Sequence, residues 1–423
     1  MERKEQFEKK ILTLFCIAIA CCTVLILRLY ALSVDGNLKQ AAANQSSYSM
    51  QITQTRGKIY DRNLRPLTDT EQHRLIAVAP TREAADACAQ QITGNSRRKA
   101  LDLLAQGTPF TLKLEQKEKV YAKDIENFTV SSRLPTDPNQ QLAVHLLGYQ
   151  DAEGAGVCGI EKAYDKQLAQ SGETVQVRCR VNAVGQAVEG ETMEVSGSAR
   201  PEGVVLSIDK TMQEIVQKVG NSQIEQGAIV VTDIESGELR ACASFPSYDP
   251  YYLEKAMNDE RKPLINRALL PYCVGSSFKL AVAAAALEQG ISPDFSIDCV
   301  GGTTVAGRIF YCHHRAGHRQ TDLQRAIEQS CNPYFIRLGQ KAGGEAILGM
   351  AKALGFGKET ILAPGIVSEA GTLPSLSDLN SPHELANFSF GQGKLTATPI
   401  QVASMVSAIA NKGVSFQPKL VLG

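Results

Sequence analysis

The sequence predicts an α+β chain: a membrane-crossing helix near the N-terminus, a mixed region to about residue 200, and from 201 to 423 a domain of antiparallel sheet flanked by helices. Three observations carry this. Ile11 to Leu27 holds no charged residue, and with Arg28 snorkelling the apolar stretch runs to about Leu32, enough to cross a bilayer. Ala228 to Asp233 and Glu238 to Ser244 flank I-E-S-G, the pattern of an antiparallel hairpin. Pro271 to Gly290 reads P-Y-C-V-G-S-S-F-K-L-A-V-A-A-A-A-L-E-Q-G, an irregular segment that passes at Gly275 and Ser276 into an alanine-rich buried helix closed by Gly290.

The N-terminal element has a direction. Arg3, Lys4, Lys9 and Lys10 precede it, so the positive-inside tendency places residues 1–10 in the cytoplasm, 11–32 in the membrane and the rest outside. No A-x-A cleavage site follows, and cleavage at Ala18-Ile19-Ala20-Cys21 would strand an apolar run at the new terminus; the reading is an uncleaved single-pass anchor. Lys+Arg and Asp+Glu balance at 44 each, which excludes a nucleic-acid partner held by bulk charge.

Along the chain, Asp35 to Tyr48 reads as a short helix or stalk. In T-R-G-K-I-Y-D-R-N, Thr55 to Asn63, a strand at Lys58, Ile59 and Tyr60 meets turn residues, which alone makes an ordinary hairpin with exposed charge. Leu75 to Ala79 reads as strand, Ala84 to Gln91 and Arg98 to Leu104 as helix. Ile160, Ala163, Tyr164 and Leu168 share one helical face, and His145 reads as a structural histidine. Val175 to Val188 alternates like a strand pair, and Ser198 to Gly203 like a linker. The next helix starts at Thr211, with Met212, Ile215, Val216 and Val219 as its apolar face.

The chemistry starts at Ser276. Lys279, three residues on, projects from the same face and can reach the serine hydroxyl, and a lysine kept neutral by burial can take its proton. Ser277 faces the wrong way for that transfer. Taken alone, Ser276 is only a helix cap and Lys279 a solvated charge. Ser330-Cys331-Asn332 forms a tight loop between helices, with Asn332 as cap and Pro333 opening the next helix. Cys299 and Cys312 flank a short loop and are expected to lie close enough to oxidise. Three histidines, His313, His314 and His318, sit in the same stretch, but the spacing lacks the C-x2-C pair of most structural zinc sites, so no metal or cofactor is expected.

Ser276-x-x-Lys279 followed by Ser330-x-Asn332 is the ordered motif pair of penicillin-binding proteins and serine β-lactamases. The flanking text is narrower: R-G-K-I-Y-D-R-N from Arg56, H-L-L-G-Y from His145, G-I-E-K-A-Y-D from Gly159, P-S-Y-D-P from Pro246, G-Q-G from Gly391 and T-P-I-Q from Thr398. Together these resemble the class B penicillin-binding proteins, the monofunctional peptidoglycan D,D-transpeptidases. The resemblance implies Ser276 as acylated nucleophile, Lys279 as proton acceptor, Ser330 as relay to the leaving D-alanine nitrogen and Asn332 as holder of the substrate amide. It implies an elongated pedestal (dimerisation) domain over residues 33–200 and a transpeptidase domain over 201–423. The partners implied are stem peptides ending in D-Ala-D-Ala, β-lactams, the lipid bilayer, a membrane glycosyltransferase and other wall-synthesis proteins.

The family's third motif, Lys-Thr/Ser-Gly, is not found through Gly423; Lys394-Leu395-Thr396 and Asn411-Lys412-Gly413 do not satisfy it. The expectation is therefore a transpeptidase domain lacking its last part, and the alternative function is a catalytically impaired, membrane-anchored scaffold. A β-lactamase would need a separately placed base, and Glu328 overlaps the second motif. A sensor would need more than ten cytoplasmic residues, and a bifunctional synthase another domain.

Overall fold

A computed structural model describes residues 2–34, 46–115, 118–135, 141–188, 190, 192–200 and 202–422. The expected stalk lies outside the described residues except at its end, where the strand Ser47–Gln54 begins. The helix Glu2–Val34 contains the expected apolar span: Lys10–Val34 has mean hydropathy 2.6 and none of it is buried. It is long and apolar enough to cross a membrane.

The chain forms two compact units, one of Met1–Gln54, Gln72–Val130 and Glu173–Ser198, the other of Thr55–Glu71, Ser131–Gly172 and Ala199–Gly423. In the first, Gly172–Arg180 pairs on one side with Ser47–Gln54 and on the other with Glu194–Arg200, while Glu71–Val78 is central between Phe110–Leu114 and Ile125–Ser132. The helices Arg82–Gln91 and Gly94–Leu104 cover the second sheet through Ala84, Cys88 and Ala100, which meet Ile76, Val78 and Phe110. Asn182 closes a turn where the latter half of a strand pair is expected, its side chain accepting from the N–H groups of Val184 and Gln186. The expected linker at Ser198 to Gly203 is instead strand on either side of residues 201–202.

The second unit begins with a correction. Lys58–Tyr60 is no exposed hairpin: it pairs in parallel with Gly203–Val205. Asp61 is fully buried, taking Nε of Arg65 at 2.7 Å and the N–H groups of Asn63, Arg65 and Lys210. Those hydrogen bonds hold its carboxyl below the usual range although burial opposes them. Arg56 reaches Asp165 at 2.8 Å, and Arg133 reaches Glu161 at 2.8 Å and Asp69 at 2.7 Å. A buried charge is tolerated only when paired, so these ion pairs tie three distant sequence segments together. The helical face expected at Ile160 to Leu168 is split at Tyr164 into Gly159–Ala163 and Asp165–Gln170, with Ile160 and Leu168 both fully buried.

Gly227–Thr232 and Leu239–Phe245 form the expected antiparallel hairpin. The helix Lys210–Gln223 packs on it with the opposite face from the one its apolar residues suggest: Gln213 and Gln217 are buried, while Met212, Ile215 and Val219 are exposed. Gln213 bonds both the N–H and the C=O of Cys242, and Gln217 accepts from Ala143 N–H, so the amides complete main-chain hydrogen bonding inside the core. Gly220 touches the sheet; a Cβ there would lie 1.9 Å from the Phe245 ring.

The alanine-rich helix Lys279–Glu288 is the buried centre of this unit. Ala281, Val282, Ala285 and Ala286 present short side chains, which lets the helices Asn332–Ala342 and Gly344–Ala353 pack against it.

Candidate active site

Ser276 does not lie in the first α-helical turn. Gly275–Phe278 is a 3₁₀ turn, and Lys279 is the first residue of the α-helix. At three residues per turn, positions i and i+3 eclipse, so the tighter turn stacks Lys279 directly over Ser276. The turn is held by the G-Q-G segment: Gly275 N–H donates to Gly391 O at 2.9 Å. Gly391 has φ +83, and a Cβ on it would fall 1.8 Å from Gly275 O, so only glycine fits. Ser277 points elsewhere, into a groove with Tyr272, Val274 and Pro399.

Lys279 is 3% exposed. Its Nζ donates to Asn332 Oδ1 at 2.7 Å, Ser330 O at 2.8 Å, Ser330 Oγ at 2.9 Å and Ser276 Oγ at 3.2 Å. Ser330 Oγ in turn lies 3.0 Å from Ser276 Oγ. No carboxylate pairs with Lys279 among the described residues. Burial lowers its pKa to about 8, against the neighbouring thiols of Cys331 and Cys312, which act in the opposite direction. All four residues singled out from the sequence, Ser276, Lys279, Ser330 and Asn332, thus meet around one nitrogen.

The second segment reaches it in an unexpected way. Cys331, not Asn332, is the N-cap of Asn332–Ala342, which leaves the Asn332 side chain free to bond Lys279 instead of its own backbone. Ser330 has φ +48, a left-handed conformation that turns its hydroxyl toward Ser276. An open cleft of about 850 Å³, lined by Phe295, Thr303, Tyr311, Arg315, Pro333 and Arg337, adjoins Asn332, whose Nδ2 lies 3.5 Å from Tyr311 O.

Residues outside this cluster behave as packing. His145 donates through Nε2 to Pro263 O at 2.7 Å and stands edge-on to Tyr248; burial lowers its pKa to about 4. Glu328 is exposed and bonded to Gln324.

The stretch between the cysteines is a hairpin, Gly302–Val305 with Arg308–Tyr311, rather than a plain loop. Its Ala306-Gly307 turn, both with positive φ, carries no Asn-Gly signal in the sequence. Cys299 and Cys312 are unbonded thiols, brought together as expected but within a larger set. Cys299, Cys312, His318 and Cys331 are all buried, and their ligand atoms lie within 4.8 Å of one another. The fourth member comes from the serine-asparagine motif, so a search for paired cysteines within one segment misses it. These are the residues that could hold a metal.

Residues 227–422 match the profile of the penicillin binding protein transpeptidase domain. Over that stretch the chain carries a penicillin-binding protein transpeptidase domain. Stage V sporulation protein D of Bacillus subtilis is 28% identical over 72% of this chain and 47% of its own length. The peptidoglycan D,D-transpeptidase MrdA of Salmonella typhimurium is 27% identical over 98% of this chain and 75% of its own, and FtsI of Escherichia coli 29% over 66% and 46%. The chain therefore spans about half the length of several of the curated relatives it matches. The solved penicillin-binding protein PBP2 of Helicobacter pylori superposes with TM-score 0.63 at 24% identity, covering 88% of this chain and 79% of that one. A chain of a peptidoglycan synthase complex gives TM-score 0.62 at 25% identity, covering 98% and 79%. The class B resemblance and the α+β architecture behind an apolar N-terminal helix stand with these relatives.

Proposed function

We propose that the chain is a serine-type peptidoglycan D,D-transpeptidase and that Ser276 forms its acyl-enzyme. The observation that carries the reading is Lys279 Nζ within hydrogen-bond distance of Ser276, Ser330 and Asn332 at once. Neutral Lys279 takes the Ser276 proton as Oγ attacks the penultimate D-alanine carbonyl carbon. The N–H of Ser276 donates to the developing oxyanion. The C–N bond then breaks, and the proton passes from Lys279 through Ser330 to the departing D-alanine nitrogen. Asn332 holds the substrate amide. An acceptor amine from a second stem peptide attacks the ester, cross-links the strands and returns the proton to Ser276. A β-lactam enters the same acylation step and is retained.

Residues 11–32 would anchor the protein in the cell membrane with residues 1–10 cytoplasmic, residues 33–200 would supply the pedestal, and residues 201–423 the transpeptidase domain. Wall-synthesis partners fit this reading, since one structural neighbour was solved with MreC and another within a peptidoglycan synthase complex.

Fluorescent penicillin and intact-protein mass spectrometry test it. One acyl adduct is expected on the native chain and none on Ser276→Ala. Labelling that persists in the variant would sink the assignment, and no labelling of the native chain would leave the scaffold role.

A further inference from the structure

We propose that the cleft beside Asn332 is a subsite for an anionic peptide: a stem peptide carrying free carboxylates besides that of its terminal D-alanine, held by Arg315 and Arg337. The proposal rests on the stem-peptide reading above and adds which part of the peptide is recognised.

One wall of the cleft follows from strand alternation. In the hairpin Gly302–Val305 with Arg308–Tyr311, Gly302 stands opposite Tyr311 and Thr304 opposite Ile309, so these four share one face and Phe310 and Val305 lie on the other. That second face is anchored: Val305 and Phe310 are buried and pack with Ile336 and Ala386. The first face is bare. Ile309 is 52% and Tyr311 55% exposed, and both line the cleft with Val300, 63% exposed. Three large apolar side chains uncovered in one place mark a surface that a ligand covers. The volume, about 850 Å³, is that of a pocket able to enclose several residues of a peptide.

Charge decides the kind of ligand. Arg315 and Arg337 both line the cleft. The Arg315 guanidinium carbon stands 3.9 Å from the centre of the Tyr311 ring, a stack that holds the plane of its donors in one place. Arg337, on the exposed side of Asn332–Ala342, bonds the neutral Gln340 Oε1 at 3.2 Å. No ion pair joins either guanidinium to a carboxylate among the described residues. Asp298 is the acid that lines the same cleft, so two positive charges face one negative. A guanidinium fork is matched by the paired oxygens of a carboxylate, and an uncharged glycan strand would leave both forks unmatched.

The cleft is continuous with the reacting centre. Pro333 lines it, and Asn332 Nδ2 lies 3.5 Å from Tyr311 O. A peptide whose amide is held by Asn332 has its neighbouring residues at the mouth of this cleft. Arg315 and Arg337 touch no reacting atom; they set specificity.

The test is equilibrium binding to the full Ser276→Ala chain in detergent, read by anisotropy of a stem peptide ending in D-Ala-D-Ala and labelled with an uncharged dye. The form with free side-chain carboxylates should bind about tenfold more tightly than the form with them amidated, and Arg315→Gln or Arg337→Gln should each remove most of that ratio. Added salt should narrow it. Arg337→Lys should keep part of the preference, and Arg337→Glu, at an exposed helix position, should invert it. Two arms on the native chain separate the sources of the peptide. Slower D-alanine release from the amidated form assigns the cleft to the donor; slower transfer to an amidated acceptor, with release unchanged, assigns it to the acceptor. Penicillin labelling of Ser276 reports on the stem-peptide reading independently, so a labelled chain that binds acid and amide forms equally overturns the cleft assignment alone. An acid preference that survives in the double variant Arg315→Gln with Arg337→Gln overturns it as well.

Discussion

Gly275 and Gly391 meet main chain to main chain, the N–H of one on the carbonyl of the other at 2.9 Å, and the serine of the first motif follows immediately. The G-Q-G segment is thus a backbone brace for the nucleophile turn. Gly391→Ala should lower stability by about 1–3 kcal/mol and slow penicillin acylation at least tenfold, because relief of the clash moves Gly275 and with it Ser276. Thermal denaturation and acylation kinetics measure the two effects; an unchanged acylation rate in a folded variant would show that the brace does not position Ser276.

Acylation should follow Lys279. With its pKa lowered to about 8 by burial, the amine is mostly protonated at neutral pH. The acylation rate should rise with pH and level off above about 8. Lys279→Arg, charged at every accessible pH, should abolish acylation across the range. A profile flat between pH 6 and 9 would argue that another group takes the proton.

Arg133 should matter far more than a surface arginine. It serves Glu161, which is 3% exposed, and Asp69, 5% exposed. Arg133→Leu takes this partner from both carboxylates, and although Glu161 keeps Arg56 and Gln150, the loss should be about 3 kcal/mol. Chemical denaturation checks this, and the double variant with Glu161→Gln should recover part of the loss.

How much of this was legible in the sequence depends on the range of the interaction. The hairpin at Ala228 to Ser244 and the buried alanine helix were read correctly because both rest on local periodicity and turn residues. Two short spacings in order single out Ser276, Lys279, Ser330 and Asn332, which the structure brings together. The helix after Asp209 was found but turned the wrong way, since apolar periodicity ignores a glutamine that bonds buried backbone. The paired charges of Arg56 and Arg133 and the fourth member of the cysteine cluster depend on segments far apart in the chain, and no local pattern reports them.

Close approach predicts a further defect. Gly220→Ala would drive a methyl into the fully buried Phe245 ring, and overpacking of this kind costs about 1–3 kcal/mol. Melting temperature should fall. Phe245→Leu in the same chain should restore part of it, whereas a purely helical effect of alanine would raise stability instead.

Acid should weaken the second unit through His145. Its folded pKa of about 4 lies below the unfolded value of about 6.5, so the unfolded chain binds the proton more tightly. The stability it contributes is fully present above about 6.5 and is lost as pH falls toward 4. Replacement by Gln should flatten that part of the stability curve.

The parallel pairing of Lys58–Tyr60 with Gly203–Val205, and the bridge from Leu206 to Val421, set a timetable for the nascent protein. A strand made early waits for a partner about 145 residues later, and that partner's neighbour, Leu206, waits about 215 more for Val421. Such distant closures are slow, and until they form the edges stay open to wrong partners. The unit around Ser276 therefore stays unclosed until Val421 has been made, and that interval is the period in which a chaperone or a protease would find it.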